Sequence, residues 1–180
     1  MRRAKGKIGA KDIGALLTLR AGEEILFSGY LYTARDQAHK RIVELIKKNK
    51  KLPFDLSNQI IYYCGPTETP EGKIIGSCGP TTSSRMDRFV EPLLKAGVAA
   101  MIGKGRRSKS VRDLIKKHKS VYFAAPAGCG ALLAKKVLSR EIVCFKELGP
   151  EAVYRLKVRD FPLVVAIDSR GNDLYKHLEK

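Results

Sequence analysis

Val98-Ala99-Ala100-Met101-Ile102, then Val111-Arg112-Asp113-Leu114-Ile115-Lys116-Lys117-His118, then Val121-Tyr122-Phe123-Ala124-Ala125 set the architecture. The outer runs are short and apolar, as strands are, and the segment between them carries Val111, Leu114 and Ile115 at helical spacing. Strand, helix and strand in one compact unit predict two parallel strands with a covering helix. The same rhythm continues in both directions. Residues 131–138 read as a helix and 141–145 as a strand. Upstream, 60–64 reads as a strand, 74–77 as a shorter one, and the stretch around 91–96 as a helix. Pro92 stands in its first turn, where a missing N–H does no harm.

The two ends of the chain read differently. Ile25, Phe27, Gly29 and Leu31 alternate with Leu26, Ser28, Tyr30 and Tyr32, the period of a sheet. Residues 13–19 are expected to form a further strand, with Gly22 at the turn between the two. A helix follows, with Thr33 and Asp36 in a capping-box-like arrangement and Ala38, Ile42, Leu45 and Ile46 on one face. Residues 153–158 and 163–167 read as two last strands, with Gly171-Asn172 as a turn. The expectation is one α/β domain over 1–180: a mainly parallel sheet with helices, plus an antiparallel layer contributed by the chain ends.

Composition narrows the function. Hydrophobic residues make up 44% of the 180 and charged residues 29%, so a chain this long can bury a core without staples. Thirty-five Lys and Arg against eighteen Asp and Glu leave a formal charge of +17, a field that favours some anionic partner. The basic start Met1-Arg2-Arg3-Ala4-Lys5 has the character of an export signal, but Lys11 and Asp12 interrupt any apolar segment behind it, so no export is expected. The longest uncharged stretch, 121–134, contains Pro126, Gly128 and Gly130 and falls short of the roughly 20 residues a membrane helix needs. Cys64, Cys78, Cys129 and Cys144 form no C-x-x-C pair and no zinc spacing with His39, His118 or His177. They read as free thiols of a reducing cytoplasm.

Four segments carry more chemistry than a scaffold needs. Arg35 stands at a strand-to-helix junction, where a planar guanidinium suits a carboxylate; an ordinary pair with Asp36 or a Glu is the simpler reading of that residue alone. Gly79-Pro80-Thr81-Thr82-Ser83-Ser84-Arg85-Met86-Asp87 puts four hydroxyls and an Arg in one loop. That is either a helix cap or an oxyanion receptacle, and four hydroxyls exceed what a cap requires. Gly103-Lys104-Gly105 follows the strand at 98–102, where ligands of open α/β sheets bind, although a solvated Lys in a turn fits equally well. Pro126-Ala127-Gly128-Cys129-Gly130-Ala131 reads as a tight turn with a buried Cys129, because Leu133 breaks the dinucleotide fingerprint.

Several of these strings occur together and in order elsewhere. Phe27-Ser28-Gly29, Thr33-Ala34-Arg35-Asp36-Gln37-Ala38-His39, Tyr63-Cys64-Gly65-Pro66-Thr67, the Gly79 to Asp87 loop, Met101-Ile102-Gly103-Lys104-Gly105, Val158-Arg159-Asp160-Phe161-Pro162 and Gly171-Asn172-Asp173 resemble class I fumarase and L(+)-tartrate dehydratase. The match is to the β subunit of two-subunit enzymes or the C-terminal domain of single-chain ones, and it runs from about Leu16 to Tyr175. The resemblance implies a swivelling β/β/α three-layer domain that closes over a larger subunit carrying a [4Fe-4S] cluster. It implies that Thr81 is the base that takes a proton from the substrate carbon, while the residues alone leave Thr82, Ser83 or a group on the partner subunit as alternatives. Arg35 and Arg85 would hold the substrate carboxylates, with Lys104 as a third cationic contact. None of the four cysteines matches a cluster ligand, so this chain is expected to bind no metal or cofactor of its own.

The resulting expectation is a cytoplasmic heteromer: the β subunit of an iron–sulfur hydro-lyase, paired with its iron–sulfur α subunit. Its reaction is expected to be fumarate hydration to L-malate, with L(+)-tartrate dehydration as the alternative. Two rivals come from other classes. One is a basic nucleic-acid-binding module, drawn from the Lys104-Gly105-Arg106-Arg107 and Lys116-Lys117-His118-Lys119 runs; the other is a carboxylate-sensing domain. Against the first, the seven Tyr and six Phe lie mostly in apolar strand patterns rather than among the basic residues. Neither nucleic acid nor membrane is expected as a partner.

Overall fold

In the computed structural model, residues 6–9 and 13–177 are described; Met1 to Lys5, Lys11 and Asp12, on which the export reading turns, lie outside the described residues. Strands β1 (Gly6–Gly9), β2 (Glu24–Thr33), β3 (Ile60–Tyr62), β4 (Ala100–Gly103) and β5 (Val121–Ala124) run parallel. Strands β6 (Val137–Cys144) and β7 (Val153–Ile167) complete one sheet of order β1-β2-β3-β4-β5-β7-β6. Antiparallel β7 pairs with β5 near its end and also with β2, so β2, β3, β4, β5 and β7 form a closed ring. The expected antiparallel strands are present and belong to the same sheet. They close the sheet on itself.

Alternation along the strands builds two cores. Ile60, Tyr62, Ala100, Ile102, Val121 and Phe123 point into the ring and meet Phe27, Leu156, Phe161 and Val165. Their neighbours Ile61, Tyr63, Met101 and Tyr122 point outward, under the helices. That outer core is covered by α2 (Asp36–Lys47), α3 (Val90–Lys95) and α4 (Lys109–His118), through residues such as Ile42, Leu93 and Ile115. Strands buried on both faces read as continuous apolar runs, which is why β3, β4 and β5 were legible from sequence.

Four local expectations are corrected. Residues 13–19 are not a strand: α1 (Ile13–Leu16) and a turn follow, because Leu16 and Leu19 are buried while Leu17 and Thr18 face out, a spacing of three rather than two. Residues 74–77 form no strand either; the segment folds back on Thr67, whose hydroxyl accepts the Ser77 amide at 2.8 Å and whose amide bonds the Ser77 carbonyl at 2.9 Å. The helix expected at 131–138 stops early as α5 (Gly130–Ala134), since Val137 onward pairs with β7. The two last strands are one, joined by a bulge where the register passes from Phe27–Phe161 to Gly29–Val158. Asp160 there has φ 49°, and its amide donates to Ser28 Oγ at 3.0 Å. Helix α6 (Leu174–His177) ends the described chain, and no helix among the described residues is long and apolar enough to cross a membrane.

Phe161 is fully buried in the ring and meets Tyr62 edge-on at 5.5 Å between centroids. Phe161→Ala is therefore expected to lower the unfolding free energy by about 3–5 kcal/mol in urea titrations; a loss under about 1 kcal/mol would contradict the closed ring.

His39 gives the stability a pH dependence. Its ring is wholly buried, stacked on Phe89 at 5.7 Å, with Nδ1 2.9 Å from the Arg35 carbonyl. A carbonyl only accepts, so Nδ1 carries the proton, and Nε2 is buried without a partner. Burial holds the imidazole down at about 4, against the raising effect of the Arg35 carbonyl and with Arg107 pushing further down. The unfolded ring titrates near the ordinary imidazole value of 6.5. Below that value the unfolded chain takes up a proton that the folded chain refuses. Stability is thus full above about pH 6.5 and falls as pH drops towards 4, by ~3 kcal/mol for this group. Urea unfolding of wild type and His39→Gln at pH 7 and pH 4.5 checks this: the variant, less stable at pH 7, is expected to lose much less on acidification.

Candidate active site

The carboxyl ends of three adjacent parallel strands bring the expected residues together. Arg35 lies just past Thr33, the last residue of β2, and Lys104 follows Gly103, the last of β4. Between them the loop after β3 returns across the sheet: the Thr81 amide donates to the Tyr63 carbonyl at 2.7 Å. Thr82 and Lys104 then pair as a short parallel bridge. The Lys104 amide meets the Thr81 carbonyl at 3.3 Å and Ser83 Oγ at 3.0 Å, while the Ser83 amide donates to the Lys104 carbonyl at 3.0 Å. Gly103 has no room for a side chain, because Ser83 Oγ occupies the space a Cβ would need. The hydroxyl run is not a helix cap. Thr82 stands at the N-cap of the 3-10 segment Ser83–Phe89 and makes no side-chain capping bond.

One nitrogen links the arginine to the threonine. Arg85 Nη2 lies 2.9 Å from Thr81 Oγ1 and 2.9 Å from Asp36 Oδ2. The same Asp36 oxygen is 3.5 Å from Arg35 Nε, and that Nε is 3.4 Å from Glu151 Oε1. So the ion pairs that sequence offered as the simple reading of Arg35 are present, with both an Asp and a Glu. They also join Arg35 to Arg85. The Arg35 stem packs over Gly65, where any Cβ would come within 2.8 Å of Arg35 Cδ. Lys104 joins the group only through its backbone; among the described residues no side chain pairs with its ammonium.

The capping expected of Thr33 and Asp36 is corrected. Arg35 is the N-cap residue of α2, without a side-chain cap bond, and the exposed Gln37 amide is satisfied by Glu151 Oε2 at 2.8 Å. Thr33 is buried, with its hydroxyl 3.0 Å from the Tyr154 amide and 3.4 Å from the Ala152 carbonyl. A tertiary carboxylate has replaced the local cap.

Beneath the loops lies a buried polar layer that sequence reading did not find. Arg107 has a fully buried side chain, with Nε 2.7 Å from Asp87 Oδ1, and its guanidinium lies over the rings of Tyr63 and Tyr122 at 5.4 and 5.0 Å. Burial opposes its charge, yet Tyr63 and Asp87 leave it more firmly protonated than a free Arg. Asp87 Oδ2 accepts the Ser108 amide at 3.0 Å, and Ser108 Oγ caps α4 by accepting the Val111 amide at 3.3 Å. Tyr122 Oη lies 2.8 Å from the Gly105 carbonyl and 2.9 Å from Ser83 Oγ. Sequence placed Arg107 in a basic surface run; its burial breaks that run. The available signal was Asp87, an acid six residues after Thr81 with a basic stretch to pair with.

The cysteines do not make a cluster site. Cys64 and Cys78 are buried, and burial pushes Cys78 up to about 12 and Cys64 well above the ordinary thiol range, so neither offers a thiolate. Cys129, expected to be buried, is half-exposed, as is Cys144. Among the described residues no three His, Cys, Asp or Glu are placed to hold a metal ion. A [4Fe-4S] cluster does not fit these residues.

Comparison with known proteins agrees with the family resemblance. Residues 9–178 match the family described as the fumarase C-terminus. A Methanocaldococcus jannaschii chain, provisionally named an L(+)-tartrate dehydratase β subunit, is 43% identical across 97% of this chain and 91% of its own length. The Escherichia coli L(+)-tartrate dehydratase β subunit is 36% identical across 92% of this chain and 83% of its own. Fumarate hydratase 2 of Leishmania major is 41% identical across 86% of this chain, which spans only 28% of that longer protein. A match across nearly the whole sequence makes this chain a member of the fumarase C-terminus family.

Proposed function

We propose that the chain is the β subunit of a two-subunit hydro-lyase acting on a four-carbon dicarboxylate, with L(+)-tartrate as its substrate. The observation that supports the reaction class is the meeting of Thr81, Arg85 and Arg35 at one strand edge with Lys104 beside them. The substrate choice is supported by the two tartrate dehydratase β subunits, which this chain matches over 91% and 83% of their lengths. That reverses the weighting drawn from sequence, where fumarate came first. Reversible hydration of fumarate to L-malate is the second reading, favoured by the 41% identity to the Leishmania enzyme.

The division of roles follows from charge and geometry. Two guanidiniums and an ammonium complement a dianion, and the planar forks of Arg35 and Arg85 suit its carboxylates. Thr81 takes the proton from the carbon next to a carboxylate. A threonine alkoxide is a poor prospect in water, but Arg85 Nη2 at 2.9 Å stabilises it once water is excluded. The Arg85 side chain is 46% exposed in the chain alone, so closure of this domain against a partner subunit supplies that exclusion. The hydroxyl leaves through chemistry that this chain does not carry; a [4Fe-4S] cluster on the α subunit is the expected source.

Three outcomes test this. The purified chain is expected to fold and turn over neither L(+)-tartrate nor fumarate, with activity appearing when its α subunit is added and saturating at a fixed ratio. Turnover by the chain alone would sink the proposal, and activity on fumarate but not on tartrate would select the second reading. Thr81→Ala in the reconstituted enzyme is expected to reduce kcat by on the order of a hundredfold or more while shifting stability by under ~1 kcal/mol; undiminished exchange of the substrate C–H with solvent deuterium would remove Thr81 as the base. Arg85→Lys keeps the charge but loses the planar fork, and kcat/KM is expected to fall about tenfold or more. An unchanged kcat/KM would take Arg85 out of the site.

A further inference from the structure

Asp36 is the first residue of α2 and is joined to both site arginines through a single carboxylate oxygen, Oδ2. The two arginines depend on it unequally. Arg35 has a second carboxylate, Glu151, at 3.4 Å. Among the described residues, Arg85 has no other acid: its Nη2 divides its bonds between Asp36 Oδ2 and Thr81 Oγ1, both at 2.9 Å. The Asp36–Arg85 bond therefore sets where that nitrogen sits relative to the Thr81 hydroxyl. It also fills, with an internal carboxylate, guanidinium capacity that a dianion would use.

We infer that Asp36 is a positioning residue which holds Arg85 on Thr81 and competes with the substrate carboxylate for it, so that it raises turnover while weakening dianion binding. The inference rests on the dicarboxylate reading proposed above. A simpler role exists for an acid in the first turn of a helix, interaction with the helix dipole. That role affects stability only. The positioning role moves kcat and affinity in opposite directions.

The test uses Asp36→Asn, which keeps the shape and removes the charge, and Asp36→Ala, which removes both. Each variant is reconstituted with the α subunit and assayed on the dicarboxylate that wild type turns over. The Asn variant is expected to show a KM about two- to fivefold lower, the range an exposed ion pair is worth. Its kcat should fall on the order of tenfold or more, as when a hydrogen bond to a charged group is lost. The Ala variant should show the same split with a larger fall in kcat. Unchanged kcat and KM, with or without a lower Tm, would reduce Asp36 to a helix-end residue, and a higher KM would show that it supports binding rather than competing.

A second measurement does not depend on activity. In the full chain carrying isotope-labelled arginine, the Arg85 Nε–Hε resonance is assigned through Arg85→Lys and followed by NMR as L(+)-tartrate or L-malate is added. Tighter binding by Asp36→Asn than by wild type supports the inference. Equal or weaker binding, or no ligand-dependent shift in the variant, overturns it. If reconstituted wild type turns over no dicarboxylate, the functional reading fails, and this titration still decides the role of Asp36.

Discussion

The pair between the buried Arg107 and the half-buried Asp87 fixes the site loops to each other. Asp87 lies in the 3-10 segment that carries Arg85, and Arg107 ends the loop that begins with Lys104. With Asp87 also receiving the Ser108 amide, one carboxylate sets the position of the Arg85 segment, the Lys104 loop and the first turn of α4. A guanidinium removed from water is expensive to bury, and a broken buried pair commonly costs about 3–5 kcal/mol because the remaining charge is stranded. Here the aromatic faces of Tyr63 and Tyr122 offset part of the lost hydration. Among the described residues Nη1 and Nη2 have no partner, so the pair is held by Nε and by packing rather than by a full set of bonds.

Consecutive residues of β3 and its extension do a related job from opposite faces of the sheet. Tyr62 points into the ring and donates its hydroxyl to the Cys78 carbonyl. Tyr63 points outward beneath Arg107, while its carbonyl receives the Thr81 amide at 2.7 Å. The segment from Cys78 to Thr81 is thereby held at both ends by one short strand. Gly130 lies directly against it, since a Cβ there would meet the Gly79 amide at 2.8 Å, and its carbonyl accepts the Cys78 amide at 3.2 Å. The tight turn before α5, a weak nucleotide signal by sequence, serves the site loop by letting another backbone come close.

What the sequence revealed follows from how local each determinant is. Strands β3, β4 and β5 and helices α2 and α4 announce themselves by apolar periodicity within ten or twelve residues, and the motif strings named Arg35, Thr81, Arg85 and Lys104 through resemblance. The partners of those residues were not legible, because they are distant in sequence: Glu151 caps α2 from 114 residues away, and Arg85 reaches Asp36 across 49. The ring closure was missed for the same reason. Residues 153–158 and 163–167 look like two strands because Arg159 and Asp160 interrupt the pattern, whereas the pairing with β2 on both sides makes them one bent strand. Arg107 was misread because a basic run in sequence says nothing about which of its members turns inward.

The internal carboxylates give the site a sensible electrostatic balance. Arg35, Arg85 and Lys104 alone would be three cations at one sheet edge, with two guanidiniums close enough to share an oxygen. With Asp36 and Glu151 among them the group carries a single net positive charge, which a dianion bound as proposed would turn into a single negative one. Neither state is heavily charged, so covering the site with a second protein surface removes less hydration than it would from three bare cations. Ground-state affinity is lower for the same reason, and affinity shared equally by substrate and transition state does not raise kcat. In the proposed reaction negative charge leaves Thr81 Oγ1 as the alkoxide takes the proton and builds up on the substrate carboxylate beside the reacting carbon, so the contacts that would gain most are those the guanidiniums make to that carboxylate. A site that restrains its arginines with its own acids therefore saves their strongest interaction for the step in which charge moves.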